Sequence, residues 1–220
     1  MSGNKILIVA AHPDDEILGC AGTVARMVKE GSTADTFLIG LGRVRPQEEL
    51  KQFMKNSLRA NEIIGVDNVS WITPALPDNE FDSVTLMNVV KVIEDKIKFL
   101  QPDIIFTHFK DDLNVDHRIT YQAVITATRP IQSQCVKEIY SFEIPSSTEW
   151  AFPTSFSPDM FVDIFQTINA KLMALEQYRD ELREFPHPRS LAGVEILAHY
   201  RGMQVGLDKA EAFKTVRVIR

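Results

Sequence analysis

The sequence predicts an α/β protein, a Rossmann-like three-layer sandwich around a mostly parallel central sheet, with residues 1–220 forming a single domain. Three observations carry that prediction. Short apolar runs alternate with stretches of helical periodicity; composition is 45% hydrophobic and 25% charged with no low-complexity tract; and 220 residues suffice for one core on each side of a sheet.

Each element follows from its own pattern. Residues 6–11 are continuously apolar, as in a strand buried on both faces of a parallel sheet. A helix over about 15–30 places Ile17, Leu18, Ala21, Val24, Ala25 and Val28 at spacings of three and four, with Gly31 as its stop. Residues 36–40 read as a second strand, 46–65 as a helix with an acidic first turn, and 69–73 as a third strand. Leu86, Val89, Val90, Ile93, Ile97 and Leu100 form a helical stripe that Pro102 closes before a strand at 104–106. A helix at about 117–127 and a strand at 139–142 follow. Ile168, Leu172, Leu175, Tyr178, Leu182 and Phe185 trace one long amphipathic helix, and a helix at 191–200 precedes a last strand at 216–218.

Charge and cysteine usage exclude several classes. A net charge of -6 offers no global positive field for nucleic acid or an anionic membrane surface. The two cysteines, Cys20 and Cys135, are far apart and form no disulfide framework or thiolate zinc motif. No apolar run is long enough for a membrane span or a signal core, so the expected compartment is cytoplasmic. The expected partner is a small molecule, and the sequence leaves a homo-oligomer open.

A doubly wound order of 3-2-1-4-5 sets the first and fourth strands side by side, and ligands bind beyond the carboxyl ends at that switch point. His12-Pro13-Asp14-Asp15-Glu16 follows the first strand, and Asp112-Leu113-Asn114-Val115-Asp116-His117 follows the fourth. His12, Asp15 and His117 then supply two imidazoles and a carboxylate, a donor set suited to zinc with positions left for water and substrate. Helix capping alone accounts for either cluster singly, with Asp116 as an N-cap and Asp14 to Glu16 favouring a helix dipole. It does not account for both clusters at neighbouring strand ends.

These two motifs resemble those of the PIG-L/LmbE-like family of zinc-dependent sugar N-deacetylases. The resemblance implies a Zn2+ ion on His12, Asp15 and His117 and a general-base role for Asp14. The family's second motif usually reads Asp-x-His-x-Asp-His, so Asn114 stands in the place of an imidazole. The implied reaction is hydrolysis of an N-acetyl group on an amino sugar or its conjugate. The Asn114 amide would serve as the oxyanion donor, and His187, in the proline-stiffened stretch 185–190, is the candidate to replace the missing imidazole. Arg189 on that stretch, Arg43 after the second strand and Asp78 after the third are candidates for substrate contact, and Glu16 and Asp116 for supporting the ligands. His108 reads as a satisfied structural histidine near the ligands, and Trp71 and Trp150 as core residues able to stack on a sugar. The competing readings are a metal-dependent phosphoesterase and a catalytically weakened sugar-binding homologue. A nucleotide-binding module ranks below both, because acidic side chains occupy the turn where a pyrophosphate would sit.

Overall fold

The molecule, described by a computed structural model over residues 3–153 and 155–220, is built on one seven-stranded sheet of order β3-β2-β1-β4-β5-β7-β6. The strands are β1 (Lys5–Ala10), β2 (Thr33–Gly40), β3 (Asn68–Leu76), β4 (Ile104–His108), β5 (Glu138–Phe142), β6 (Met160–Asp163) and β7 (Ala210–Val218). The helices are α1 (Asp15–Lys29), α2 (Gln47–Ile63), α3 (Leu86–Leu100), α4 (Val115–Ala127), α5 (Ile168–Leu175) and α6 (Leu191–Met203). β1 to β5 pair in parallel, and β7 runs antiparallel to both β5 and β6.

The unbroken apolar run of β1 has the expected meaning. Ile6, Ile8 and Ala10 enter a core with α1, α2 and α5, while Leu7, Val9 and Ala11 enter a second core with α3 and α4. Side chains alternate faces along a strand, so an all-apolar run requires a layer on each side. Each fully buried Ile or Leu contributes about 1.5–3 kcal/mol of burial free energy, which makes the two cores a rigid floor for the loops above. α1 ends where Gly31 takes φ +100 and Ser32 N–H reaches back to the Met27 carbonyl at 3.0 Å.

The expected 3-2-1-4-5 order holds and continues into an antiparallel edge. Three local expectations change. β6 has no counterpart in the sequence reading, because only four residues contribute and none is fully buried. The last strand begins at Ala210 rather than 216, and its first four residues are all buried, without the alternation that signals a strand. The single helix expected through Phe185 stops at Leu175, followed by a 3-10 turn at Glu176–Tyr178. The break has a polar cause: Tyr178 is fully buried so that its hydroxyl can donate to Glu16, and Glu181 turns toward Arg45.

One buried ion pair ties the halves together. Lys171 of α5 donates to Glu211 of β7 at 2.6 Å and to the Leu18 carbonyl of α1 at 2.7 Å. Glu211 in turn accepts from the backbone N–H groups of Gly22 and Thr23 at 3.0 and 2.7 Å. Among the described residues no helix is long and apolar enough to cross a membrane.

Candidate active site

Because β1 and β4 are neighbours, the loops at their carboxyl ends meet. His12, Asp15 and His117 each offer one donor atom, all within 4.8 Å of one another, and all three residues are buried. His12 Nδ1 and His117 Nε2 each lie 3.3 Å from the same oxygen, Asp15 Oδ2. The far nitrogen of each ring is tied to a further carboxylate: His12 Nε2 to Asp116 at 2.8 Å, and His117 Nδ1 to Asp112 at 3.0 Å. A carboxylate on each outer nitrogen favours a proton there, so an ion replacing the inner protons would find His12 Nδ1 and His117 Nε2 as its donors, the arrangement that orients metal-ligating histidines.

The electrostatics ask for positive charge at that point. Burial opposes a proton on His12, yet Asp116 and Asp15 raise it to about 10. Burial likewise opposes one on His117, which Asp15 and Asp112 raise to about 9. Asp15, which burial alone would raise, is held well below the usual carboxylate range by His117 and His12. A divalent ion meets the same demand and displaces these protons, so the donor set fits zinc. His108 has another part: burial keeps it neutral, it stacks on His117 with centroids 4.0 Å apart, and its Nε2 accepts the Ala11 N–H at 2.8 Å.

Asp14 stands beside the triad in an unusual backbone conformation, φ 106 and ψ -30. A non-glycine residue there carries strain of about 1–3 kcal/mol, which persists only when its surroundings hold it. Glu16 does the holding. Its Oε2 accepts the Asp14 N–H at 2.9 Å, while Oε1 accepts from Asn61 at 2.9 Å and Tyr178 at 2.7 Å. The Asp14 carboxylate lies 3.3 Å from Arg189 Nη1; burial pushes its pKa to about 8, with Arg189 pulling the other way.

The remaining expected residues fall in two groups. Arg43, Asp78, Asn114 and Arg189 line one crevice of about 250 Å³ with the triad and Asp14. Asp78 Oδ1 lies 3.2 Å from His12 Nε2. Asn114 caps α4, its Oδ1 accepting the Asp116 N–H at 2.8 Å, while its Nδ2 donates to Asn79 at 3.1 Å. Asp116 is buried and accepts from the backbone of Asn79 and Phe81 at 2.7 and 3.0 Å, binding the loop after β3 to the triad. His187 is apart from these. Its Nδ1 accepts the Arg189 N–H at 3.1 Å and its ring meets Trp150 edge-on at 5.4 Å, so it shapes the loop carrying Arg189 and does not line the crevice.

Asp112 opens the second motif but has no role in the sequence reading, and several of its partners carry no motif. The Asp112 carboxylate accepts from His117, from the Asn114 N–H at 2.9 Å, from Thr148 at 2.5 Å and from Ser147. These contacts and the opposing effect of burial leave its pKa at about 2. Ser147 and Thr148 come from the segment after β5 and announce themselves by nothing local. Asn61 was detectable in principle, as a polar residue on the core-facing side of α2 between Ala60 and Ile64.

Comparison with known proteins gives the fold and the family. The uncharacterized deacetylase YaiS of Escherichia coli K12 is 28% identical over 187 residues, covering 81% of this chain and 94% of YaiS. The N,N'-diacetylchitobiose deacetylase of Pyrococcus horikoshii superposes with a TM-score of 0.78 at 18% identity, over 97% of this chain and 84% of that one. GalB, a 4-carboxy-2-hydroxymuconate hydratase from Pseudomonas putida, also gives 0.78 at 18% identity, over 99% of this chain and 98% of its own. At such identities the two structures establish a shared fold, and a fold hosts more than one chemistry. The PIG-L family, described as GlcNAc-PI de-N-acetylase, matches residues 7–128, more than half of the chain and the part that holds both motif loops, and the chain belongs to that family.

Proposed function

We propose that this protein is a zinc-dependent deacetylase that hydrolyses the N-acetyl group of an amino sugar or sugar conjugate, with Asp14 as general base. The observation that carries the reading is the convergence of His12 Nδ1 and His117 Nε2 on Asp15 Oδ2, each at 3.3 Å, with the Asp14 carboxylate beside them. Family membership and the likeness to YaiS support the amide as the bond attacked.

Zinc on His12, Asp15 and His117 supplies a Lewis acid that brings the pKa of water toward about 7 and polarises an acetyl carbonyl. Asp14, outside the ligand set, accepts the proton of the attacking water at its carboxylate. Burial pushes the Asp14 pKa up to about 8 and Arg189 opposes it, which keeps the group in the range where one carboxyl both takes and returns a proton near neutrality. Arg189 fixes the direction of that carboxylate and favours its ionised form. An amine leaves poorly unless protonated, so Asp14 then returns the proton to the sugar nitrogen. The second N–H of the Asn114 amide donates to the carbonyl oxygen as it gains charge, a weaker donor than an imidazolium in that place.

The test is acetate release from a panel of N-acetylated sugars by protein of known zinc content. Loss of acetate release on chelation and its return on adding zinc support the reading. Zinc-loaded protein that releases no acetate from any sugar, or release indifferent to a chelator, overturns it.

A further inference from the structure

The PIG-L match ends at residue 128, yet the carboxylate that holds Asp14 is itself held from beyond that point. Glu16 Oε1 accepts from two neutral donors: Asn61 Nδ2 of α2 at 2.9 Å, and the Tyr178 hydroxyl at 2.7 Å, from the turn that breaks α5. Each donor is fixed in turn. Asn61 Nδ2 also donates to the Ser57 carbonyl at 3.0 Å, and its Oδ1 accepts the Thr36 hydroxyl at 2.7 Å. Tyr178 is 1% exposed, with its ring edge-on to Phe53 at 5.7 Å.

What these donors control is one point of the backbone. Peptide units are planar, so the dihedrals of Asp14 are fixed only when the peptide planes on both sides of its Cα are held. α1 holds the following plane, because the Asp14 carbonyl accepts from the Ile17 and Leu18 N–H groups at 3.0 and 2.8 Å. The preceding plane carries the Asp14 N–H, which Glu16 Oε2 accepts at 2.9 Å. Hydrogen bonds to a buried carboxylate are strong and directional, and two donors converging on Oε1 keep the group from turning, so Oε2 stays aimed at Asp14. We propose that Tyr178 is a positioning residue for the reaction: through Glu16 it keeps Asp14 at φ 106, the conformation that sets the general base beside the triad. Tyr178 does not line the crevice, so it acts on the base and not on substrate binding. The effect on rate rests on the deacetylase reading; the effect on the Asp14 backbone does not.

Tyr178→Phe tests this, because it keeps the ring and its contact with Phe53 and removes only the hydroxyl. In the zinc-loaded protein we expect kcat for acetate release to fall about tenfold, equivalent to about 1.4 kcal/mol at the barrier, with KM and zinc content unchanged. By NMR, hydrogen exchange of the Asp14 N–H, measured against core amides of β1, becomes at least about threefold faster. Because Tyr178 acts through Glu16, the double variant Tyr178→Phe/Glu16→Gln loses no more kcat than Glu16→Gln alone. Lys171→Met, which breaks a buried pair behind the site, separates this from a general loss of stability: it lowers neither kcat per folded molecule nor the relative protection of the Asp14 N–H. An unchanged Asp14 exchange ratio in Tyr178→Phe, a kcat within twofold of the unsubstituted enzyme, a change confined to KM, zinc lost in step with kcat, or additive losses in the double variant overturns the proposal. The two readings fail separately. A protein that releases no acetate from any N-acetylated sugar, yet exchanges the Asp14 N–H faster in Tyr178→Phe, loses the deacetylase and keeps Tyr178 as the residue that holds Asp14.

Discussion

Replacing Asp112 by Asn separates the charge of this residue from its shape. The Asp112 carboxylate is buried and takes hydrogen bonds from His117 Nδ1 at 3.0 Å, Asn114 N–H at 2.9 Å, Thr148 Oγ1 at 2.5 Å and Ser147 Oγ. In Asp112→Asn the amide oxygen keeps the His117 side, and the new NH2 faces Thr148, whose hydroxyl can turn to accept it. Thr148 Oγ1 already accepts the Ile144 N–H, so its own hydroxyl proton loses its acceptor, at a cost of about 1–3 kcal/mol in stability. The bond to His117 changes from charge-assisted to neutral, a loss of about 1–1.5 kcal/mol of orientation and ligand basicity. At 1.4 kcal/mol per tenfold, the zinc dissociation constant rises about tenfold, the low end of the range for partners of metal-bound histidines. Competition against a chromophoric chelator reads the affinity directly, and circular dichroism checks the fold. A zinc affinity within twofold of the unsubstituted protein would refute the argument that Asp112 orients His117 for metal binding.

Three further outcomes are expected. Asp14→Asn removes the proton acceptor and lowers kcat for acetate release by about 10²–10⁴-fold, while zinc content by elemental analysis stays at the unsubstituted level; loss of the metal as well would place Asp14 among the ligands. Asn114→Ala loses both the helix cap and the oxyanion donor, whereas Asn114→Ser keeps the cap; stability in urea should drop by about 0.5–2 kcal/mol only in the first, and kcat should fall in both. Equal kcat in Asn114→Ser and the unsubstituted enzyme would leave Asn114 as a cap alone. Lys171→Met leaves Glu211 buried without its cation and costs about 3–5 kcal/mol in denaturant unfolding, with the activity per folded molecule retained, because the pair joins α1, α5 and β7 behind the site.

Local sequence made much of the architecture legible. The uninterrupted apolar run of β1 demanded covering layers on both faces, and the repeated alternation of strand and helix demanded parallel pairing; both reflect periodicities set by backbone geometry. The clustering of the candidate ligands was legible for a related reason. His12, Asp15 and His117 lie on the loop and helix starts beyond the carboxyl ends of β1 and β4, so the strand order brings them together. Where regular patterning fails, the sequence lost its voice: β6 is short and half-buried, and the helix after Ile168 breaks because Tyr178 has a buried hydroxyl to satisfy.

The sequence by itself determined the layered α/β sheet and the residues facing one another across its switch point, since apolar period and strand order act through neighbouring residues and a few simple packing rules. Only the tertiary structure decided how those residues are held. Glu16 fixing the strained Asp14 backbone, Asp112 gripped by Ser147 and Thr148, His187 turned to Trp150, and Glu181 shared between Arg43 and Arg45 all join segments distant along the chain. A buried polar group takes whichever partner folding brings within about 3 Å, and no local pattern records which one that will be.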